Sequence, residues 1–310
     1  MAIVNTMNSP IITTKGLTKV YGAHTVVDKL SLEVPQGAVH GLLGPNGSGK
    51  STTMKMLLGL TTPTAGEITV LGQPMTRSTR GEVLASIGSL IESPAAYPHL
   101  TGAENMKIVT RLFKADSANA QRAVRLVRLE KHMDKQVKNY SLGMKQRLGI
   151  AIALVRDPQL LILDEPTNGL DPAGIEEIRE LIISLARDEG RTVLVSSHLL
   201  SEMEKMATSF SIINQGKLIF QGSKQQLFDA HLPDVYVKTP QAAVATEVLR
   251  DLQPRIVSGG VELPGLTEEA VAAACAQLVH HGVPIYQVLR KHRSLEEIFI
   301  GMTGRKGLSA

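Results

Sequence analysis

The sequence predicts an α/β fold: a mostly parallel sheet carrying a phosphate-binding loop, with a helical insert and a small α/β domain after it. Three observations predict it. The apolar run Val39 to Leu43 enters a glycine-rich loop, Gly44-Pro45-Asn46-Gly47-Ser48-Gly49-Lys50-Ser51-Thr52, which opens onto a helix-like segment, Thr53 to Leu60. A second apolar run, Leu160-Leu161-Ile162-Leu163, has the character of a parallel strand buried on both faces and ends in Asp164-Glu165. Beyond Gly222, strand and helix patterns alternate through Val235-Tyr236-Val237, Glu268 to Val279 and Pro284 to Val288.

The loop is a phosphate cradle. Its glycines let consecutive N–H groups turn inward around an oxygen cluster, the following helix start adds a positive dipole end, and Lys50 can reach the β- and γ-phosphates. Ser51 is placed to offer its hydroxyl to Mg²⁺. Downstream, strand alternation turns Asp164 and Glu165 in different directions, so that one can hold Mg²⁺ through water and the other can reach a nucleophilic water. Pro166-Thr167-Asn168-Gly169 closes the strand.

A third motif is Tyr140-Ser141-Leu142-Gly143-Met144-Lys145-Gln146-Arg147, which starts a segment able to run helically to Arg156. With these motifs the chain resembles the ATP-binding subunits of ABC transporters. The family signature reads Leu-Ser-Gly-Gly-Gln, of which Ser141 and Gly143 are kept. A serine at a helix start still offers hydroxyl, backbone N–H groups and dipole to a γ-phosphate. The resemblance covers about the first 225 residues and implies a P-loop NTPase core of ABC ATPase type. It also implies roles for further residues: Tyr21 stacks on adenine, Asp171 of Asn168-Gly169-Leu170-Asp171 contacts the opposite subunit, and His198, after the strand Thr192 to Val195, bonds the γ-phosphate. Glu165 takes the place of the general base, and Lys50, Ser51 and Asp164 that of the Mg·ATP holders.

One departure stands out. Where the family carries a glutamine that touches Mg²⁺ and the attacking water, Ile87-Gly88-Ser89-Leu90-Ile91-Glu92-Ser93-Pro94 has Glu92. Glu92, the following Ala95-Ala96-Tyr97-Pro98-His99-Leu100-Thr101 and the variant signature resemble the bacitracin-resistance and lantibiotic-immunity branch of ABC exporters. That implies an ATPase powering a separately encoded membrane permease that exports a peptide antibiotic, from the cytoplasmic face of the membrane, as a head-to-tail dimer in which Ser141 and Gly143 close the other subunit's site.

Composition limits the alternatives. With 310 residues and 43% hydrophobic content the chain can build two domains, and its one cysteine leaves no disulfide framework. No stretch approaches the roughly 20 apolar residues of a membrane span, and no charged-then-apolar leader opens the chain. A formal net charge of +4, no tryptophan and 3% aromatics give no nucleic-acid footprint. A soluble ABC-type ATPase acting on ribosomes or DNA is the rival; two cassettes in one chain or long coiled coils would mark it, and neither is present. Residues 1–225 are expected to form the ATP-binding domain, with 91–156 as its helical subdomain, and 226–310 a C-terminal accessory domain. Thr101-Gly102-Ala103-Glu104 reads as a capping box in the insert, and Asn214-Gln215-Gly216-Lys217 as a hairpin turn.

Overall fold

The computed structural model describes residues 9–92, 96–291 and 293–304; Ser93, Pro94 and Ala95 of the branch motif lie outside them. The chain divides into two compact units, the first running to Ser223 and taking in Thr303, the second spanning Lys224–Met302.

The first unit opens with β1 (Ile12–Tyr21), β2 (His24–Leu30), β3 (Glu33–Val34), β4 (Val39–Leu43), α1 (Lys50–Leu57), β5 (Ala65–Val70), β6 (Gln73–Pro74), α2 (Arg80–Ala85) and β7 (Ile87–Leu90). An insert follows, with α3 (Gly102–Leu112), α4 (Ser117–Leu126) and α5 (Leu142–Leu154). The chain then returns through β8 (Leu160–Asp164), α6 (Pro172–Arg187), β9 (Thr192–Ser196), α7 (Leu200–Met206), β10 (Ser209–Asn214) and β11 (Lys217–Ser223).

These strands make two sheets. One is antiparallel, in the order β2-β1-β5-β6 with β3 also on β1; the other runs β11-β10-β4-β9-β8-β7 and is parallel except for the β10–β11 hairpin. Every residue of β4, β8 and β9 is buried, as central parallel strands require. A single core joins the sheets: Ile12, Leu17 and Val27 of the antiparallel sheet, Met54 and Leu57 of α1, and Ile162 and Leu194 of the parallel one. Each such buried side chain contributes about 1.5–3 kcal/mol of transfer free energy. Because β4, β8 and β9 are parallel and in register, their C-terminal ends lie side by side, with Leu42 opposite Ser196 and Ser196 opposite Asp164. Ligand sites of open α/β sheets form at such an edge.

Local chemistry sets the element ends. Gly59, at φ 62, stops α1 short of Leu60. Thr101 and Glu104 form the reciprocal capping box that starts α3, and Gln215 and Gly216, at φ 49 and 77, make the β10–β11 turn. Helix α5 ends at Leu154, two residues before the expected Arg156. Next to the phosphate loop, β4 carries the buried His40, whose Nδ1 and Nε2 meet the Ser209 and Ser211 hydroxyls of β10 at 2.8 and 2.9 Å. Ser211 spends its proton on Gln221 Oε1, so His40 donates from Nε2 and accepts at Nδ1.

The second unit holds α8 (Lys224–Asp229), β12 (Asp234–Lys238), α9 (Ala242–Val248), β13 (Arg255–Val257), β14 (Gly260–Leu263), α10 (Glu268–His280), β15 (Gln287–Lys291) and all but the last residue of α11 (Leu295–Thr303). Its sheet is antiparallel, in the order β13-β14-β12-β15, which with α9 and α10 is a ferredoxin-like β-α-β-β-α-β arrangement. Val235, Val237, Val261 and Leu263 form one core with Ala245 of α9, Leu249 just after it, and Ala274 and Leu278 of α10.

Candidate functional site

The loop after β4 is shaped by what its glycines exclude. A Cβ at Gly44 would lie 2.3 Å from Ser48 Oγ and 2.4 Å from the Ile213 carbonyl. Gly47 and Gly49 take φ of 77 and 103, where L side chains are strained, and Gly49 caps the N-terminus of α1. Lys50, first residue of α1, is buried, and its Nζ donates to the Gly44 and Pro45 carbonyls at 2.7 and 3.1 Å. Burial pulls its pKa below the ordinary lysine value, opposed by Glu165 and then Asp164. Asn46 and Gly47 are exposed, Ser51 is exposed at the helix start, and Thr52 is half-buried behind it.

The loop suits a phosphate chain: Ser48 Oγ is buried with no hydrogen-bond partner among the described residues, and a cation and a helix start face the same cradle.

At the adjacent strand end, Asp164 is the last residue of β8 and buried. Its Oδ1 accepts a short hydrogen bond from Ser196 Oγ, and the same hydroxyl accepts from the Glu165 N–H at 3.0 Å. Glu165 has left the strand: φ of 50 places it in the left-handed region. Alternation along the strand therefore does not by itself separate the two carboxylates; the backbone reversal at Glu165 does. From there Glu165 Oε2 meets His198 Nδ1 at 2.6 Å and accepts from the His198 N–H at 3.3 Å. His198 itself is half exposed.

Among the described residues no group of three or more His, Cys, Asp or Glu side chains is arranged to hold a metal. Mg²⁺ in phosphate sites needs only one or two protein oxygens, the rest coming from water and phosphate, so the exposed Ser51 hydroxyl and the second oxygen of Asp164 fit it.

Glu92 is engaged elsewhere. It lies two residues after β7, at φ of 66, and its Oε1 accepts from Lys55 Nζ at 2.6 Å. The hydrogen bond and charge of Lys55 lower the Glu92 pKa. Tyr21, at the end of β1, is 50% exposed, with Lys19 Nζ 4.7 Å from its ring centroid, so a cation lies over the ring proposed to stack a base.

A second group of residues gathers at the start of α5. Ser141 is the N-cap, its Oγ accepting from the Met144 N–H at 3.2 Å. Tyr140, in the place of the family's leucine, is buried and donates to the His132 carbonyl at 2.8 Å; a Cβ on Gly102 would strike its hydroxyl at 2.2 Å. Leu142 lies against Gly169, where an added Cβ would come within 3.1 Å of its Cδ2, and Gly143 faces Leu170. Asp171 caps α6, accepting from the Gly174 N–H at 3.2 Å. Ser141 and Gly143 thus lie beside Leu170, next to Asp171, while Glu165 and His198 are bonded to each other at the end of β8.

Two participants escaped the sequence reading. Ser196 was visible only as a serine ending an apolar strand, and Lys55 as a charge on a short helix; both partnerships depend on which strand or loop lies next to which.

Fold and site together define a nucleotide-hydrolysing P-loop domain. Residues 27–168 match the family described as ABC transporter. The bacitracin transport ATP-binding protein BcrA of Enterococcus faecalis is 36% identical over 304 residues, covering 96% of this chain and 98% of that protein. The lantibiotic transport ATP-binding protein SrtF of Streptococcus pyogenes is 45% identical over 207 residues, 67% of this chain and 88% of its own. A solved structure of an ATP binding subunit of an ABC transporter matches with a TM-score of 0.63 at 29% identity, covering 70% of this chain and 91% of that one. The chain belongs to the ABC transporter ATP-binding proteins and is an ATPase of that family. No described helix is long and apolar enough to cross a membrane.

Proposed function

We propose that this ATPase powers a separately encoded membrane permease that exports, or removes from the membrane, an amphipathic peptide antibiotic of the bacitracin or lantibiotic kind. It works at the cytoplasmic face, held there through the permease. The single observation that carries the substrate class is the likeness to BcrA along nearly the whole chain, joined by the likeness to SrtF. In this reading residues 1–225 are the ATP-binding domain, with 91–156 as the helical subdomain that meets the permease, and 226–310 the accessory domain.

The chemistry follows from these residues. Lys50 and the loop N–H groups from Gly44 to Thr52 hold the phosphates, and Tyr21 stacks on adenine once Lys19 moves aside. Ser51 and Asp164, with Glu92 as a further candidate, would hold Mg²⁺, which when bound supplies neutralisation of the phosphate oxygens. Glu165 takes the proton of the attacking water, and His198, whose Nδ1 is bonded to Glu165, donates to the γ-phosphate either by moving its one N–H from Glu165 to the phosphate or as the imidazolium. Ser141 and Gly143 at the start of α5, with Asp171 at the start of α6, close the site of a second copy, head to tail. ATP joins the copies and hydrolysis lets them part.

Deleting the gene and scoring sensitivity to a panel of bacitracin- and lantibiotic-type peptides tests the substrate class. A several-fold lower inhibitory concentration for at least one peptide, restored by the wild-type gene, is expected; unchanged sensitivity across the panel would refute it.

A further inference from the structure

We propose that Ser196 is a positioning residue for both carboxylates of the ATPase site, setting the direction of Asp164 with its proton and the backbone of Glu165 with its lone pair. The inference rests on the ATPase reading of this site. It starts from burial: Ser196 is fully inaccessible, at the last position of β9, so its hydroxyl has no water to turn to and must spend its bonds inside the sheet. Register supplies the partners. Ser196 lies between Leu42, one residue before the end of the strand that leads into the phosphate loop, and Asp164, so it stands between cradle and carboxylates.

Its bonding capacity is one donated proton and two lone pairs. The proton goes to Asp164 Oδ1, a charge-assisted bond that fixes the carboxylate plane and leaves Oδ2 as the oxygen open to a metal or its water. A lone pair takes the Glu165 N–H at the residue where the chain turns to φ 50. A non-glycine residue there is strained and persists only when its surroundings over-determine it. Here the surroundings are Ser196 on the backbone and His198 on the side chain. A hydrophobic residue at position 196 would fill the same space but leave the Glu165 N–H without that acceptor and let the Asp164 carboxylate rotate.

The hydroxyl touches no reacting atom, so the test must separate positioning from packing. Ser196→Ala removes one oxygen and leaves the strand filled; Ser196→Thr keeps the hydroxyl. Turnover and the binding of a fluorescent ATP analogue, with and without Mg²⁺, are measured on the full chain, with thermal melting as the check on folding. Ser196→Ala is expected to lower kcat tenfold or more with KM for ATP changed less than threefold. It should also raise the Mg²⁺ concentration at half-maximal nucleotide binding threefold or more, while Mg²⁺-free binding stays within twofold. Ser196→Thr should recover most of the kcat; if its extra methyl unfolds the chain, Ser196→Cys, a weaker donor, should fall between wild type and alanine. The proposal is overturned if Ser196→Ala keeps kcat and the Mg²⁺ midpoint within twofold of wild type, or if Mg²⁺-free binding falls as much as turnover. Glu165→Gln is the control for the underlying reading. It should cost about 10² in turnover with nucleotide binding retained; if it does not, the site assignment fails with it, whereas a silent Ser196→Ala beside an inactive Glu165→Gln removes the positioning role alone.

Discussion

At the scale of the residue, the Lys55–Glu92 pair distinguishes this site from one with a neutral glutamine in the same loop. A glutamate brings negative charge toward the phosphates, and Lys55, one helical turn beyond Ser51, offsets it at 2.6 Å. Both side chains keep water contact, Glu92 at 69% exposure, so the pair is weak enough to exchange for another partner of the carboxylate. We expect Glu92→Ala to cut turnover tenfold or more and Glu92→Gln to retain partial activity with a changed Mg²⁺ optimum. Lys55→Met should also lose activity, and the Lys55→Met/Glu92→Gln double variant should regain much of it, because the loop is then neutral again. Steady-state ATPase assays across a Mg²⁺ series read all four. Normal hydrolysis by both Glu92 variants as isolated subunits, with failure only in coupled transport, would assign the loop to relaying motion instead.

At the scale of the element, the β4–β10 contact hides a proton switch in stability. His40 is buried between two serine hydroxyls, and burial lowers its pKa from 6.5 to about 3. The unfolded chain therefore binds a proton between about pH 6.5 and pH 3 that the folded chain refuses, so stability is complete above pH 6.5 and declines as pH falls through that window. The limiting slope for one proton is about 1.4 kcal/mol per pH unit. Replacing His40 with Gln should cost stability at neutral pH and flatten the decline; parallel urea midpoints for the two proteins from pH 7 to pH 4 would count against the assignment.

Elements of this kind also show what the sequence makes legible. Segments whose signal is contiguous, such as the buried run of β8, the glycine loop and the Thr101–Glu104 box, are readable because burial, φ and capping are local demands. The short α9, β13 and β14 give no such signal, and Ile256 of β13 is 62% exposed. The bonds of Ser196 and His40 are set by strand order, which crosses large sequence distances and leaves no local pattern. Tyr140 is intermediate: its place in the signature segment is plain, but its fit depends on a glycine 38 positions earlier, at Gly102.

At the scale of the whole molecule, the proposed function, with a separate permease and a second copy completing each ATP site, sets what the isolated chain does. The isolated chain is expected to be mostly monomeric without nucleotide and to remain in the supernatant with protein-free liposomes at physiological salt. Membranes containing its permease should retain it. Analytical ultracentrifugation and liposome flotation check both; sedimentation with bare liposomes would contradict the expectation.

The insert is tied to the core by charge. Arg122 of α4 reaches Asp157 and Glu189, and the buried Arg191 holds the same two carboxylates and the Pro158 carbonyl from the core side. Two cations and two anions cancel, so the joint carries no net charge, and its inner half is shielded from mobile ions. Exposed pairs such as Arg187–Asp188 fade as salt is added, as does the Arg122–Asp157 arm, whereas the covered Arg191 and Glu189 are screened less. The insert is thereby fastened next to β8 and β9 by a four-membered charge network, with the buried Arg191 as its least salt-sensitive member.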